Sequence, residues 1–186
     1  MIIVIKWPKN MEEAKYYLAG LIVGDGSIEK YRIDIYDKNE KFLQMVEKAV
    51  VKKYFNNYIT RTRIEYRKHV NNYRLRIYGK QFVEIIRNLC ENITVNHDFV
   101  RGFFDAEGSI WYNPNIIAEI TNKNKEILEE IQELLRQHKI NSKIHKDRTT
   151  YKLRITSMRK FIETIGLRHP RHILKIYLHS HITRKC

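Results

Sequence analysis

An α+β fold of two tandem αββαββα repeats about a pseudo-twofold axis is what this sequence predicts, with paired central helices and two antiparallel sheets. The first observation behind it is a repeated turn. "VGDGSIEKY" (23–31) and "DAEGSIWYN" (105–113) share Gly-Ser-Ile after an acid, with Asp25 and Glu107 82 residues apart. The second is that flanking segments repeat in step. "RIDIYDKNEKFL" (32–43) parallels "IAEITNKNKEIL" (117–128), and "YRLRIYGKQFVEII" (73–86) parallels "YKLRITSMRKFIETI" (151–165). A period near 80 residues is too long for a solenoid unit and fits a duplicated domain, 1–96 and 97–186. The third is charge. Residues 1–96 hold 18 Lys+Arg and 11 Asp+Glu, and residues 97–186 hold 17 and 10, so each half carries half of the net +14.

The elements follow in order. A helix is expected over 11–25, with Asn10 as N-cap, Glu13 completing a capping box and Gly26 as the stop. A hairpin follows over 27–37. Phe42, Leu43, Val46, Ala49, Val50 and Phe55 recur near 3.6 spacing and predict a helix over 39–55. Strands are expected over 58–67 and 72–78, then a helix over 80–90. The second unit repeats the order: helix 97–107, strands within 109–121, helix 124–138, strands 142–148 and 150–156, helix 158–165. A last helix over 171–183 has no developed partner in the first unit. The bridge "CENITVNHD" (90–98) is short, so the halves pack directly.

Composition narrows the function classes. With 43% apolar residues in 186, the chain has enough to bury a core. No apolar run reaches the roughly 18 residues of a membrane span. "MIIVIKWP" is short and lacks a cleavage site, which argues against a signal peptide. Cys90 and Cys186 have no C-x-x-C partners, so neither a zinc site nor a disulfide framework is expected, and a reducing cytosol fits. The net charge of +14 and a pI of about 9.7 point to a polyanion, with nucleic acid ahead of an anionic membrane.

The strands carry that charge on one face. Arg61, Arg63 and Arg67 alternate with Ile64 and Tyr66. Arg74 and Arg76 alternate with Tyr73, Leu75 and Ile77. Lys152 and Arg154 alternate with Tyr151, Leu153 and Ile155. Successive strand residues point to opposite faces, so an apolar face is covered by helices and an Arg/Lys face is left open. Arg32, Lys143 and Arg148 join this set. Glu65 and Asp147 are the only acids expected on it. A two-stranded ribbon fits the major groove, where Arg addresses phosphates and guanine edges. Two sheets lying along a duplex are therefore expected.

The acid–Gly turns end two unusual helices. "LAGLIVGDG" (18–26) spaces Gly20 and Gly24 four apart, and "VRGFFDAEG" (100–108) does the same with Gly102 and Ala106. Small residues at that spacing let helix backbones approach closely. Parallel pairing then brings Asp25 and Glu107 together at two C-terminal ends. Helix C-termini disfavour anions, and paired carboxylates repel. A hard divalent cation reverses both effects, and carboxylates with free carbonyls are the oxygen donors that Mg²⁺ takes.

These two segments resemble the paired motifs of the LAGLIDADG homing endonucleases in their single-chain, two-repeat form. The first matches seven of nine letters, with Val23 and Gly24 replacing Asp and Ala; the second is looser. The similarity covers nearly the whole chain. It implies a monomeric, intracellular, site-specific double-strand DNA endonuclease that needs no protein partner and recognises a long, partly asymmetric target through the major groove. It implies Asp25 and Glu107 as metal-binding catalytic carboxylates, with the carbonyls of Gly24 and Ala106 as further ligands. Mg²⁺ or Mn²⁺ would support cleavage, and Ca²⁺ would bind without supporting it. Asp37-Lys38 and Asn122-Lys123 occupy the strand-end positions, without the usual Gln. Lys175 resembles the late basic residue, so Lys38, Lys123 and Lys175 are the expected auxiliary cations. Asp105, at the sixth motif position, is read as a packing or capping acid. An RNA-binding intron maturase and an inactive DNA-binding regulator are the alternatives within this fold.

Overall fold

The structure, a computed structural model, describes residues 7–112 and 115–182, with side chains through 178. Residues 1–6, most of the segment weighed and set aside as a signal peptide, the expected helix end at 183 and Cys186 lie outside the described residues. The first repeat runs α1 (Met11–Asp25), β1 (Gly26–Ile28), β2 (Arg32–Asp37), α2 (Glu40–Val46), a π-helical stretch (Glu47–Val51), α3 (Lys52–Phe55), β3 (Arg61–Arg67), β4 (Asn72–Tyr78) and α4 (Lys80–Glu91). The second runs α5 (His97–Glu107), β5 (Gly108–Tyr112), β6 (Ile116–Asn122), α6 (Lys125–Gln137), β7 (Ser142–Asp147), β8 (Thr150–Ile155), α7 (Met158–Thr164) and α8 (Pro170–Ile182).

Each repeat forms one four-stranded antiparallel sheet, in the orders β1-β2-β4-β3 and β5-β6-β8-β7. Registers correspond. Asp34 pairs with Arg76 and Glu119 with Arg154; Ile64 pairs with Leu75 and Ile144 with Leu153. Each sheet covers its own core. Ile33, Ile35, Leu75 and Ile77 are buried in one, and Ile120, Leu153 and Ile155 in the other. The two cores exchange a residue, since Ala19 packs into the second and Ala106 into the first.

Three expectations change in detail. The helix over 39–55 contains the π-helical stretch, whose wider turn brings both Val50 and Val51 inside. The strand expected from 58 starts at Arg61, because the amides of Tyr58 and Ile59 bond back to Phe55 O at 2.8 and 3.1 Å. Asn10 caps α1 by accepting from Glu13 N at 2.9 Å, but Glu13 reaches back to the amide of Lys9 rather than that of Asn10.

Candidate active site

Two glycine cradles set the site. A Cβ on Gly20 would lie 2.1 Å from Phe99 O, and one on Gly102 would lie 2.0 Å from Tyr17 O. These are the same contact made twice across the pseudo-dyad. Further along, a Cβ on Gly24 would meet Ala106 Cβ at 2.5 Å and Glu107 Cγ at 3.1 Å. The symmetry-related pairs 17/102 and 20/99 mark one level, and 24/106 lies further along both helices, so α1 and α5 run parallel at near backbone contact. Gly26 and Gly108 end these helices with extended φ of −131° and −74°. They are needed for space, since a Cβ would strike Ile22 Cα at 2.7 Å or Phe104 O at 2.3 Å.

Asp25 and Glu107 are the last residues of the paired helices, and neither last turn holds a basic residue. Glu107 is partly buried. Its pKa is pushed up to about 7, first by burial and then by the charge of Asp25. Asp25 keeps an exposed side chain. Partial desolvation, then the charge of Asp37, still raises its pKa. Among the described residues no group of three or more His, Cys, Asp and Glu forms a metal cluster. What stands here is two carboxylates with backbone carbonyls behind them.

The strand ends after β2 and β6 differ in a telling way. Asp37 Oδ1 accepts from Asn39 N at 2.6 Å, and Asn122 Oδ1 accepts from Asn124 N at 2.9 Å. Both therefore turn the chain into the next helix. The other arm of Asn122 donates from Nδ2 to Glu107 Oε1 at 3.1 Å. The other arm of Asp37 meets His169 Nε2 at 3.0 Å. His169 Nδ1 accepts from Arg171 N, so the proton sits on Nε2 and is donated to Asp37. Lys123 lines a cleft with Gly24, Glu107 and Asn122, and Lys38 lines another with Asp37, His169 and Arg171.

The start of α8 supplies what the sequence reading missed. Arg171 Nη2 donates to Asp105 O at 2.9 Å, Ala106 O at 2.6 Å and Gly108 O at 3.4 Å. A cation at the N-terminal end of α8 is disfavoured by that helix's own dipole, and the carbonyls ending α5 compensate it. Its charge lowers the pKa of both Asp25 and Glu107 against the effects that raise them. Lys175, one turn on, instead donates to Ile110 O at 2.8 Å and fastens α8 to β5. The α8 cation near the acids is thus Arg171. Ala106 O, expected to face a metal, already accepts a hydrogen bond from it. The sequence signal was "RHPRH" (168–172), but the first repeat has no α8, so no internal alignment singles it out. Asp105 is fully buried and accepts from Tyr17 Oη at 3.0 Å, His169 N at 3.0 Å and Arg168 N at 3.3 Å, which holds the entry to α8 in place.

Both sheets present the expected basic face. Arg61 lies over the Tyr78 ring at 4.2 Å, Arg67 over Tyr36 at 4.8 Å and Arg154 over Trp111 at 5.1 Å. Arg32, Arg63, Arg74 and Arg76 gather around Asp34 and Glu65. In the second sheet Lys143 pairs with Arg154 in register, Lys152 bridges Asp147 at 2.7 Å and Arg148 sits in the β7–β8 turn at φ 53°. The count of acids needs correction. Asp34 and Glu119 also lie on this face, buried at the centre of each sheet among the basic side chains. Their place opposite Arg76 and Arg154 depends on strand pairing, which single-strand alternation does not show.

A profile of the LAGLIDADG-like domain matches residues 12–91 and 95–166. The chain is 28% identical over 181 residues to the homing endonuclease I-DmoI of Desulfurococcus mucosus, covering 87% of this chain and 91% of that protein. A crystal structure of I-DmoI in complex with DNA and Ca superposes with a TM-score of 0.72 at 25% identity, covering 92% of this chain and 100% of that one. Full-length DUF199/WhiA from Thermatoga maritima shares the fold at 21% identity, with a TM-score of 0.62 over 94% of this chain and 62% of that one. With two motif helices paired through reciprocal glycine cradles and both halves matched, the chain belongs to the LAGLIDADG-like domain family.

Proposed function

We propose that this protein is a site-specific, divalent-metal-dependent DNA endonuclease of the homing type. The observation that carries the reading is the meeting of Asp25 and Glu107 at the ends of the paired helices, between two basic sheets. Such a pair fits a cation: each carboxylate raises the energy of the other, and each sits at the negative end of a helix. Asp25 and Glu107 would hold it, with the Gly24 carbonyl beside them. When bound, a divalent ion supplies Lewis-acid activation of water and stabilises charge on the phosphate and leaving oxygen.

The chain's own residues do the rest. Asn122 orients Glu107 and favours its ionised form. Arg171 holds the end of α5 and offsets the local negative charge. Lys123 lines the cleft beside Glu107 and Lys38 the cleft beside Asp37, and both would meet backbone phosphates of the two strands. The basic faces, with Arg32, Arg61, Arg63, Arg67, Arg74, Arg76, Lys143, Arg148, Lys152 and Arg154, would lie along the major groove on either side. Similarity to I-DmoI, whose structures include complexes with DNA and Mn or Ca, supports this reading. The test is to incubate the protein with a randomised plasmid library and Mg²⁺ and map the cut ends. Recurrent double-strand ends at one sequence are expected. Specific binding without cuts in Mg²⁺ or Mn²⁺ would overturn the enzyme assignment in favour of a DNA-binding role.

A further inference from the structure

On the first sheet, the basic side chains are not equivalent. Glu65 Oε1 lies 3.0 Å from Arg63 Nε, while its Oε2 lies 2.7 Å from Arg74 Nη2 and 3.3 Å from Arg76 Nη1. Beneath them Asp34, 1% exposed, lies 3.5 Å from Arg74 Nη1 and 3.6 Å from Arg76 Nε. Arg74 therefore has both terminal nitrogens facing acids, and its side chain is only 18% exposed. Arg76 is similarly held and 20% exposed. Arg63 differs. Its side chain is 70% exposed, and among the described residues only its Nε has an acid partner.

That geometry suits one chemical task. A guanine presents O6 and N7 in the major groove, and Arg reads them with two parallel N–H donors. An arginine ion-paired through Nε keeps its Nη fork free and its head group held beside the acid, which lowers the ordering cost of contact. The hydrogen bond from Arg74, with the neighbouring guanidiniums, holds the Glu65 carboxyl below the usual range, so the tie stays ionic. The second sheet lacks the device. In its register Lys143 faces Arg154 and His145 faces Lys152, where the first sheet has Arg63 facing Arg76 and Glu65 facing Arg74. A lysine has no fork, and a histidine is no carboxylate anchor.

We propose that Arg63 reads one guanine in the half-site under the first repeat, that Glu65 is the positioning residue that aims it, and that the second repeat has no counterpart. The inference rests on the DNA-binding reading above. Its test uses the full chain with the target found by cut-end mapping, in Ca²⁺, against all single-base variants of that target at two salt concentrations. Arg63→Lys should lose about ten- to a hundred-fold preference for guanine at one position. Glu65→Ala should lose preference at that same position while binding non-target DNA more tightly, because an acid has left the surface. Glu65→Gln, which keeps an oxygen near Nε but loses the charge, should fall between wild type and Glu65→Ala in preference. Thermal unfolding of each variant separates misfolding from misreading. A specific wild type with an indifferent Glu65→Ala, or with Arg63→Lys and Glu65→Ala affecting different positions, overturns this inference alone. A wild type without preference at any position overturns it together with the proposed function.

Discussion

Asn122 donates a hydrogen bond to Glu107 at 3.1 Å, whereas its counterpart Asp37 brings a further negative charge toward Asp25. The two acids at the centre of the molecule therefore differ in surroundings, although the repeats that carry them align. Donation to the charged form favours the carboxylate. Asn122→Ala should shift the acid limb of the cleavage pH profile, where protonation of Glu107 competes with the metal, to higher pH, because the hydrogen bond from Asn122 lowers the Glu107 pKa. Cleavage should be several-fold slower at neutral pH and recover in alkali. A pH–rate series on the mapped target checks this; a uniform loss at every pH would instead mark Asn122 as a substrate contact.

Asp25→Asn and Glu107→Gln should each reduce cleavage by about 10²–10³-fold or more while leaving target affinity in Ca²⁺ near wild type. Single-turnover cleavage beside filter binding separates the two quantities. Wild-type cutting by either variant removes that residue from the site.

Glu107 also makes stability depend on pH. Its folded-state pKa of about 7 lies above the ordinary 4.5, so the native state binds this proton more tightly than the unfolded chain. The group's contribution is full below pH 4.5 and declines as pH rises from there through about 7. In EDTA, Glu107→Gln should unfold at a higher Tm than wild type at pH 8, and the gap should close near pH 4.5. A divalent ion at pH 8 should raise the wild-type Tm more than that of the variant.

Arg171→Gln removes the cation that fastens α8 to the end of α5. Stability in EDTA should fall, by about 1–2 kcal/mol at a partly buried helix terminus. Divalent binding in the absence of DNA should tighten, since a competing positive charge has gone. Denaturant melts and Mn²⁺ calorimetry read the two effects separately, and weaker Mn²⁺ binding would count against Arg171 as a charge compensator.

Even alanine is too large at the cradles. Gly20→Ala places a methyl 2.1 Å from Phe99 O, and Gly102→Ala places one 2.0 Å from Tyr17 O. Each should cost about 1–3 kcal/mol or more. The double variant should cost less than the sum, because one separation of the helices relieves both clashes. Thermal melts of the three variants give the comparison.

The repeat, the helix pair, its two terminal acids and the alternating basic strands are legible in the residues alone. These are readable because they are periodic or duplicated: a 3.6 or 2.0 spacing, or a match between halves, marks them without knowledge of partners. It took the folded chain to show that Asn122 faces Glu107 while Asp37 faces His169, that Arg171 rather than Lys175 lies by the acids, and that Asp34 and Glu119 are buried under arginines. Each of these is a contact between segments far apart in the chain. Asp37 and His169 are 132 residues apart, Ala106 and Arg171 are 65, and Arg74 and Asp34 are 40. No local spacing encodes such meetings. They arise when burial of two apolar cores brings α8 against the end of α5 and lays β4 beside both β2 and β3, and electrostatics then selects which side chains pair.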